Sequence, residues 1–307
     1  MKLLIANPHG FCSGVTRAVQ TAREVLHRHK PVYCLNEIVH NRIVVDELAQ
    51  EGVIFTKTLE AVPEGSPVIF SAHGVTPVVR ETARQRKLKV IDATCPFVEK
   101  VHREVIRYAA AQYTILYIGH RNHDEAIGVT AEAPTQTHIV ETPEEAATVA
   151  VPDPTRVAVV SQTTLGTEMH SAVFSVLKTR FPELQTPSAS DICYATANRQ
   201  TAVRELARRT DYVIVLGSPT SSNSKRLVES ARSVGTPAEL VNTLAELETV
   251  SLNDIRTLGL TSGASTPEHF LEAVTETLKA RFPGLSVEDF NAVSEQEFTF
   301  PLPSIPA

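Results

Sequence analysis

The chain has 307 residues, an apolar fraction of 42% and a formal net charge of −6. That length holds two or three small domains or one large one, and the apolar fraction is ordinary for packed cores. The negative charge argues against a nucleic-acid partner or a polybasic membrane patch. The longest apolar runs, such as "DYVIVLG", are strand-length and far short of a membrane span.

The first segment, "MKLLIANPHG", carries too short a hydrophobic stretch for a signal peptide, which places the expected protein in the cytoplasm. In chain order, "KLLIAN" reads as a strand and "GVTRAVQTAREVLHR" as an amphipathic helix. The strands "PVYCLN", "GVIFT", "PVIFSA" and "LKVID" follow. After Asp-Ala-Thr-Cys-Pro a helix starts, with Pro96 in its first turn and Val98, Val101 and Val105 along one face. "YTILYIG", "THIVE" and "RVAVVSQ" are strands, and between the last two "TPEEAATVA" reads as Thr142 capping a first turn that holds Glu144 and Glu145. The helix "TANRQTAVRELARR" leads into the strands "DYVIVLG", "AELV" and "TLGLTSG". Strands alternating with helices make an α/β fold. The phosphate loop, dinucleotide, zinc-protease and paired C-x-x-C motifs are all missing from the sequence.

A reducing compartment turns the four cysteines, Cys12, Cys34, Cys95 and Cys193, toward metal or redox chemistry rather than disulfides. Three of them belong to a repeat. "GFCSGVTRAVQTAREV", "ATCPFVEKVHREVIRY" and "DICYATANRQTAVREL" each put a cysteine just ahead of a helix. After each helix come a strand and a polar loop, and the interval is constant: Cys12 to His40, Cys95 to His123 and Cys193 to Ser221 are each 28 positions. A later strand in each third ends in a second polar loop, "FSAHGVTP", "VSQTTLGT" or "LTSGASTP". Cys34 lies mid-strand without a counterpart and reads as core. The repeats run over 13–95, 96–189 and 190–280, with residues 1–12 associated with the third. Residues 281–307 form a tail whose Phe298, Phe300 and Leu302 pack it on the body.

Three similar α/β domains in a pseudo-threefold arrangement bring the three thiolates to one point. Ligands of α/β units sit at the carboxyl ends of strands and the N-terminal ends of helices, where these loops are. Three cysteines could hold zinc with an open fourth position, or an iron–sulfur cluster with one open iron, and ligand count does not choose. The loops around the centre supply His40, His73, His123, Thr163, Thr164, Ser221, Ser222, Asn223 and Ser265, with few cations. Imidazoles, hydroxyls, an amide and helix N-termini together suit a diphosphate. Glu125 follows His123 by two residues in the same loop. Near a metal cluster and a polyanion its carboxyl has a raised pKa and can donate a proton, the alternative being a surface acid that caps "DEAIGVTAEA".

The stretches "NPHGFCSGV", "VHN", "FSAHGV", "DATCP", "GHRNHDE", "SQTTL", "DICYATANRQ", "GSPTSSNS" and "SGAS", spread from residue 7 to residue 265, resemble the 4-hydroxy-3-methylbut-2-enyl diphosphate reductases. These are iron–sulfur oxidoreductases of the methylerythritol phosphate route to isoprenoids. The resemblance implies three α/β domains around a [4Fe–4S] cluster, with Cys12, Cys95 and Cys193 as ligands. It implies that His40, His73, His123, Ser221, Ser222, Asn223 and Ser265 bind the substrate diphosphate, and that Glu125 and Thr163 sit by the reacting hydroxyl. It also implies a mixture of isopentenyl and dimethylallyl diphosphates as product. With no nicotinamide or flavin fingerprint, electrons are expected from an external carrier such as ferredoxin or flavodoxin. His9, Ser13 and Asp124 depart from the family's usual Arg, Ala and Pro. Two rivals share the three-cysteine centre, a redox-neutral hydro-lyase and a non-enzymatic sensor.

Overall fold

A computed structural model describes residues 1–295 and 298–306. Strand β1 (Lys2–Asn7) leads into α1 (Ser13–Arg28). Four strands follow, β2 (Val32–Leu35), β3 (Val53–Thr56), β4 (Pro67–Phe70) and β5 (Lys89–Asp92), with α2 (Arg42–Glu51) and α3 (Pro77–Gln85) among them. Next come α4 (Pro96–Ala110), β6 (Thr114–Ile118), α5 (Asp124–Thr130), β7 (Thr137–Val140), α6 (Pro143–Thr148), β8 (Val157–Ser161) and α7 (Thr167–Arg180). The last stretch holds α8 (Tyr194–Ala207), β9 (Tyr212–Leu216), α9 (Ser222–Ser233), β10 (Ala238–Val241), α10 (Leu244–Thr249), β11 (Thr257–Ser262), α11 (Glu268–Arg281) and β12 (Ser286–Asn291).

The strands form three parallel sheets, ordered β10-β9-β11-β1-β12, β3-β2-β4-β5 and β7-β6-β8. The same topology recurs in each. The first strand after a cysteine-led helix lies between the second and the third, and beyond the third lies the segment that precedes a cysteine. That segment is β5 before Cys95 and β1 before Cys12. Ahead of Cys193 it shrinks to one residue, Gln185, which bridges Ala158 of β8 in the parallel sense. Its amide donates to the Val157 carbonyl and its carbonyl accepts from Val159, both at 2.9 Å.

The chain divides into two compact units. One comprises Met1–Val15, His40–Asp46 and Tyr194–Thr299; the other comprises Thr16–Val39, Glu47–Cys193 and Phe300–Ala307. In the first, alternate residues of the five-stranded sheet face opposite ways, and both faces are apolar. Leu3, Ile5, Leu258 and Leu260 pack with Val274 and Leu278 of α11. Leu4, Ala6, Val213 and Val215 pack with Val203 and Leu206 of α8 and Leu227 of α9. Parallel sheets are covered on both faces in this way because their crossover helices lie there.

In the second unit, Leu116, Ile118 and Val159 pack on Val173 and Leu177 of α7. Ile115, Tyr117 and Val160 pack on α4 and α5. The face predicted for α4 is buried, with Val98, Val101 and Val105 at 5%, 0% and 0% exposure. Each such side chain contributes about 1.5–3 kcal/mol by burial. Thr142 caps α6 as expected, its side chain accepting from the Glu145 amide.

The predicted tail begins with a strand that periodicity did not reveal. β12 is parallel to β1, and its residues are mostly exposed. Phe298 lies 4.5 Å from the Tyr194 ring, and Phe300 lies 5.8 Å from Phe97, centroid to centroid. Leu302, expected to pack, is instead 41% exposed. Positions 296, 297 and 307 of that tail lie outside the described residues. Among those described, no helix is long and apolar enough to cross a membrane.

Candidate active site

The three repeat cysteines share one local design. Each is the residue before a helix begins, at α1, α4 or α8, and each is partly exposed. In each case the cysteine N–H donates to the carbonyl two residues past the end of the repeat's third strand. Cys12 donates to Ala264 at 3.1 Å, Cys95 to Ala72 at 3.0 Å and Cys193 to Thr163 at 3.1 Å. The strand end therefore holds the backbone of each cysteine at a helix terminus that favours negative charge. No disulfide joins the cysteines among the described residues. Cys34 differs on every count. It is fully buried in mid-strand, and burial pushes its thiol well above the ordinary range.

In the second unit, the α5 loop and the β8 loop come together on Glu125. This residue is only 1% exposed, which removes the surface-cap alternative. The Thr163 N–H donates to Glu125 Oε1 at 2.7 Å, and the Thr163 hydroxyl donates to Oε2 at 2.8 Å. Burial pushes the carboxyl up, the two Thr163 hydrogen bonds pull it down, and the nearby Asp191 adds an upward push. The result is about 7. Asp191 is itself held by Lys100 Nζ at 2.7 Å and by the Ser161 amide at 2.9 Å.

His123 is the N-cap of α5, and its Nδ1 accepts from the Glu125 amide at 3.2 Å. A neutral ring so used carries its proton on Nε2, where it is a donor. His73 meets His123 edge to face, with centroids 6.1 Å apart. Thr164 Oγ1 accepts from Gln162 Nε2 at 2.8 Å, and Gln162 Oε1 accepts from the His120 amide at 3.0 Å. The loop that carries Thr163 and Thr164 is thus tied to the loop that carries His123.

In the first unit, Ser221 caps α9 by accepting from the Ser224 amide at 3.3 Å, which leaves Ser222 and Asn223 in the first turn. Asn223 Oδ1 accepts from the Ala264 amide at 2.9 Å. Its Nδ2 is buried and has no hydrogen-bond partner among the described residues. Ser265 donates to the His40 carbonyl at 3.1 Å. A helix N-terminus with serine hydroxyls and a spare buried amide donor is suited to an anion.

Sequence reasoning missed the residues that support these loops. Arg199, 1% exposed, donates to the carbonyls of His9 at 3.3 Å and Gly10 at 3.0 Å, just ahead of Cys12, and to Glu295 at 3.1 Å. Its motif, "DICYATANRQ", was visible, but a lone arginine in a helix reads as a solvated charge. The Lys100–Asp191 pair spans 91 positions and left no local signal.

The LytB protein family matches residues 3–279. A 4-hydroxy-3-methylbut-2-enyl diphosphate reductase of Streptomyces coelicolor is 46% identical over 304 residues, covering 98% of this chain and 89% of that protein. The enzyme of the same name from Acidothermus cellulolyticus is 49% identical over 305 residues, with the same coverage of 98% and 89%. Among solved structures, the E-1-hydroxy-2-methyl-but-2-enyl-4-diphosphate reductase of Plasmodium falciparum superposes with a TM-score of 0.95 at 41% identity, over 98% of this chain and 95% of that one. Family match, relatives and fold agree across nearly the whole chain, which therefore belongs to the LytB protein family.

Proposed function

We propose that the chain is an iron–sulfur oxidoreductase that removes the hydroxyl of 4-hydroxy-3-methylbut-2-enyl diphosphate reductively, giving isopentenyl and dimethylallyl diphosphates for isoprenoid synthesis. The observation that carries this reading is Glu125, a fully buried carboxyl near neutrality, held on both oxygens by Thr163. A buried group that titrates near working pH is fitted to give a proton.

The donor set fits an iron–sulfur cluster. Three partly exposed cysteines, each fixed by its backbone at a helix start, contrast with the fourth, which is sealed in a strand. Cys12, Cys95 and Cys193 would hold a [4Fe–4S] cluster. When bound, such a cluster supplies single electrons and, at an iron without a protein ligand, a Lewis acid for the hydroxyl.

The protein's own part is binding, orientation and proton delivery. His40, His73, His123, Thr164, Ser221, Ser222, Asn223 and Ser265 bind the diphosphate. Ser221 and Ser222 do so at the amide end of α9, Asn223 through its spare Nδ2, and His123 through Nε2–H. Fixing the diphosphate aligns the carbon–oxygen bond, so that binding energy away from the reacting carbon serves the chemistry. Glu125 holds the proton on a carboxyl oxygen. When Oε2 carries the proton, the Thr163 hydroxyl turns to accept from it and can pass its own proton onward. Two electrons and two protons release the hydroxyl as water and yield the two double-bond isomers, isopentenyl and dimethylallyl diphosphates. The electrons come from a separate small carrier in the cytoplasm, of ferredoxin or flavodoxin type.

The test is anaerobic turnover of the purified protein with the diphosphate substrate and a one-electron reductant. Both isomers are expected, only when reductant is present, together with a visible and EPR spectrum that changes on substrate addition. Loss of water from the substrate without reductant, giving an unreduced dehydration product rather than the two isomers, would instead indicate a redox-neutral hydro-lyase. A cluster-bearing protein that neither binds the diphosphate nor turns it over would indicate a sensor.

A further inference from the structure

α4 begins at Cys95, and His102, two turns along it, is a buried histidine that the reaction above does not use. His102 is 6% exposed. Its Nδ1 hydrogen-bonds Glu132 Oε1 at 2.7 Å. Glu132 lies just past the end of α5 and is also ion-paired with Arg80. Arg80 NH1 in turn donates to the Val75 carbonyl at 2.9 Å. The carboxylate fixes the ring's orientation, as such partners do for functional histidines. The opposite edge of the ring is wedged between two glycines. A Cβ placed on Gly74 would lie 2.7 Å from His102 Nε2, and one on Gly128 would lie 3.4 Å from Cε1. Gly74 adopts φ +81, so both its backbone and the ring call for glycine there. Gly74 follows His73 directly, and Gly128 lies three residues after Glu125 on α5.

We propose that His102, clamped by Glu132, is a positioning residue. Its ring spaces the His73–Val75 loop from α5, and so sets where His73 meets the substrate diphosphate. Arg80 completes the clamp by holding the loop at Val75 from the other side. The inference rests on the reading of His73 as a diphosphate ligand. It predicts that shortening the ring acts on substrate affinity through His73. A general loss of packing would act on stability alone.

The test is a double-mutant cycle on the cluster-loaded protein. It reads the Kd of 4-hydroxy-3-methylbut-2-enyl diphosphate from the spectral change of the oxidised protein, with iron content and thermal midpoint measured alongside. His102→Asn keeps a donor toward Glu132 and removes the ring edge that touches Gly74 and Gly128. His102→Gln keeps the reach and loses the clamp. Each is expected to weaken substrate binding about tenfold, as His73→Ala does, and to add nothing in the His73→Ala background, because coupled residues are non-additive. Parental Kd in either folded variant overturns the proposal. So do effects that multiply with His73→Ala. If the His102→Asn protein does not fold, His102→Gln decides, and loss of fold in both assigns His102 to structure alone. A parental Kd in His73→Ala would sink the diphosphate reading of His73 and is distinguishable from all of these.

Discussion

Glu125 and Asn223 occupy the same place in two of the repeats. Each stands seven residues past the end of the first strand, β6 or β9, and each accepts the amide of the residue two past the end of the third strand, Thr163 or Ala264. The backbone requirement is identical, since a buried N–H must find an acceptor. The side chains meet it differently. The amide keeps its Nδ2 as a donor and cannot titrate. The carboxylate accepts on both oxygens and, once buried, titrates near 7. A proton donor here is thus an elaboration of a structural acceptor, and one substitution between acid and amide separates the two roles.

The largest effect expected is on the feature common to all three repeats. Cys12→Ser, Cys95→Ser or Cys193→Ser should lose iron content and turnover together. Cys34→Ser should keep the cluster, at a packing cost of ~1–3 kcal/mol for its buried hydroxyl. A colourless Cys34→Ser protein beside a normally coloured Cys193→Ser protein would reverse the assignment.

Next come the two swaps at the equivalent positions. Glu125→Gln retains an acceptor for the Thr163 amide, so cluster content and substrate binding should survive. Turnover with saturating artificial reductant should fall roughly a hundredfold or more, the scale of general acid catalysis. Near-normal turnover would pass the proton to Thr163 or a bound water. Asn223→Asp retains an acceptor for Ala264 but replaces a donor by a negative charge. Substrate affinity should drop about ten- to a hundredfold, as should that of His40→Ala, with the cluster spectrum unchanged. Tight binding by both variants would place the diphosphate elsewhere.

A subtler effect is on stability against pH. An unfolded glutamate ionises near 4.5, while folded Glu125 holds its proton to about 7. Between those values the native state binds the extra proton, so this group's contribution is full below pH 4.5 and declines as pH rises to 7. The loss is on the order of 3 kcal/mol. Glu125→Gln should therefore gain thermal midpoint relative to the parent on going from pH 5 to pH 8, and equal shifts at both would count against a buried neutral acid. The smallest effect is expected from the neighbour: Asp124→Asn should leave turnover within a few-fold, since only Glu125 has both oxygens on Thr163.

Much of this is legible in the sequence. The eleven strands read from apolar runs are present; β6, β8, β9 and β11 are buried nearly throughout, so their runs announce themselves without alternation, while β3, β5, β7 and β10 at the sheet edges bury only part of each run. The cysteine intervals were legible because they count along the chain. What counts across space was not. The contact between Glu125 and Thr163 joins residues 38 apart, and only the fold brings them together. β12 escaped notice because "SVEDFN" is mostly exposed and charged, and its stability comes from pairing with β1 rather than from its own pattern. Gln185 escaped because a one-residue bridge has no periodicity at all.

The outermost position of β12 bears on how the protein behaves at high concentration. β1 has β11 on one side and β12 on the other, so its backbone groups are spoken for. Among the described residues the open ladder belongs to β12, which carries adjacent acids, Glu288 and Asp289, with Glu288 reaching Lys2 at 2.8 Å. A short acidic edge repels a second copy of itself and is a poor template for strand addition. A chain cut before Ser286 would instead present the apolar "KLLIAN" strand as a bare edge. Intermolecular β-pairing and aggregation would then compete with correct assembly of the segment that leads to Cys12.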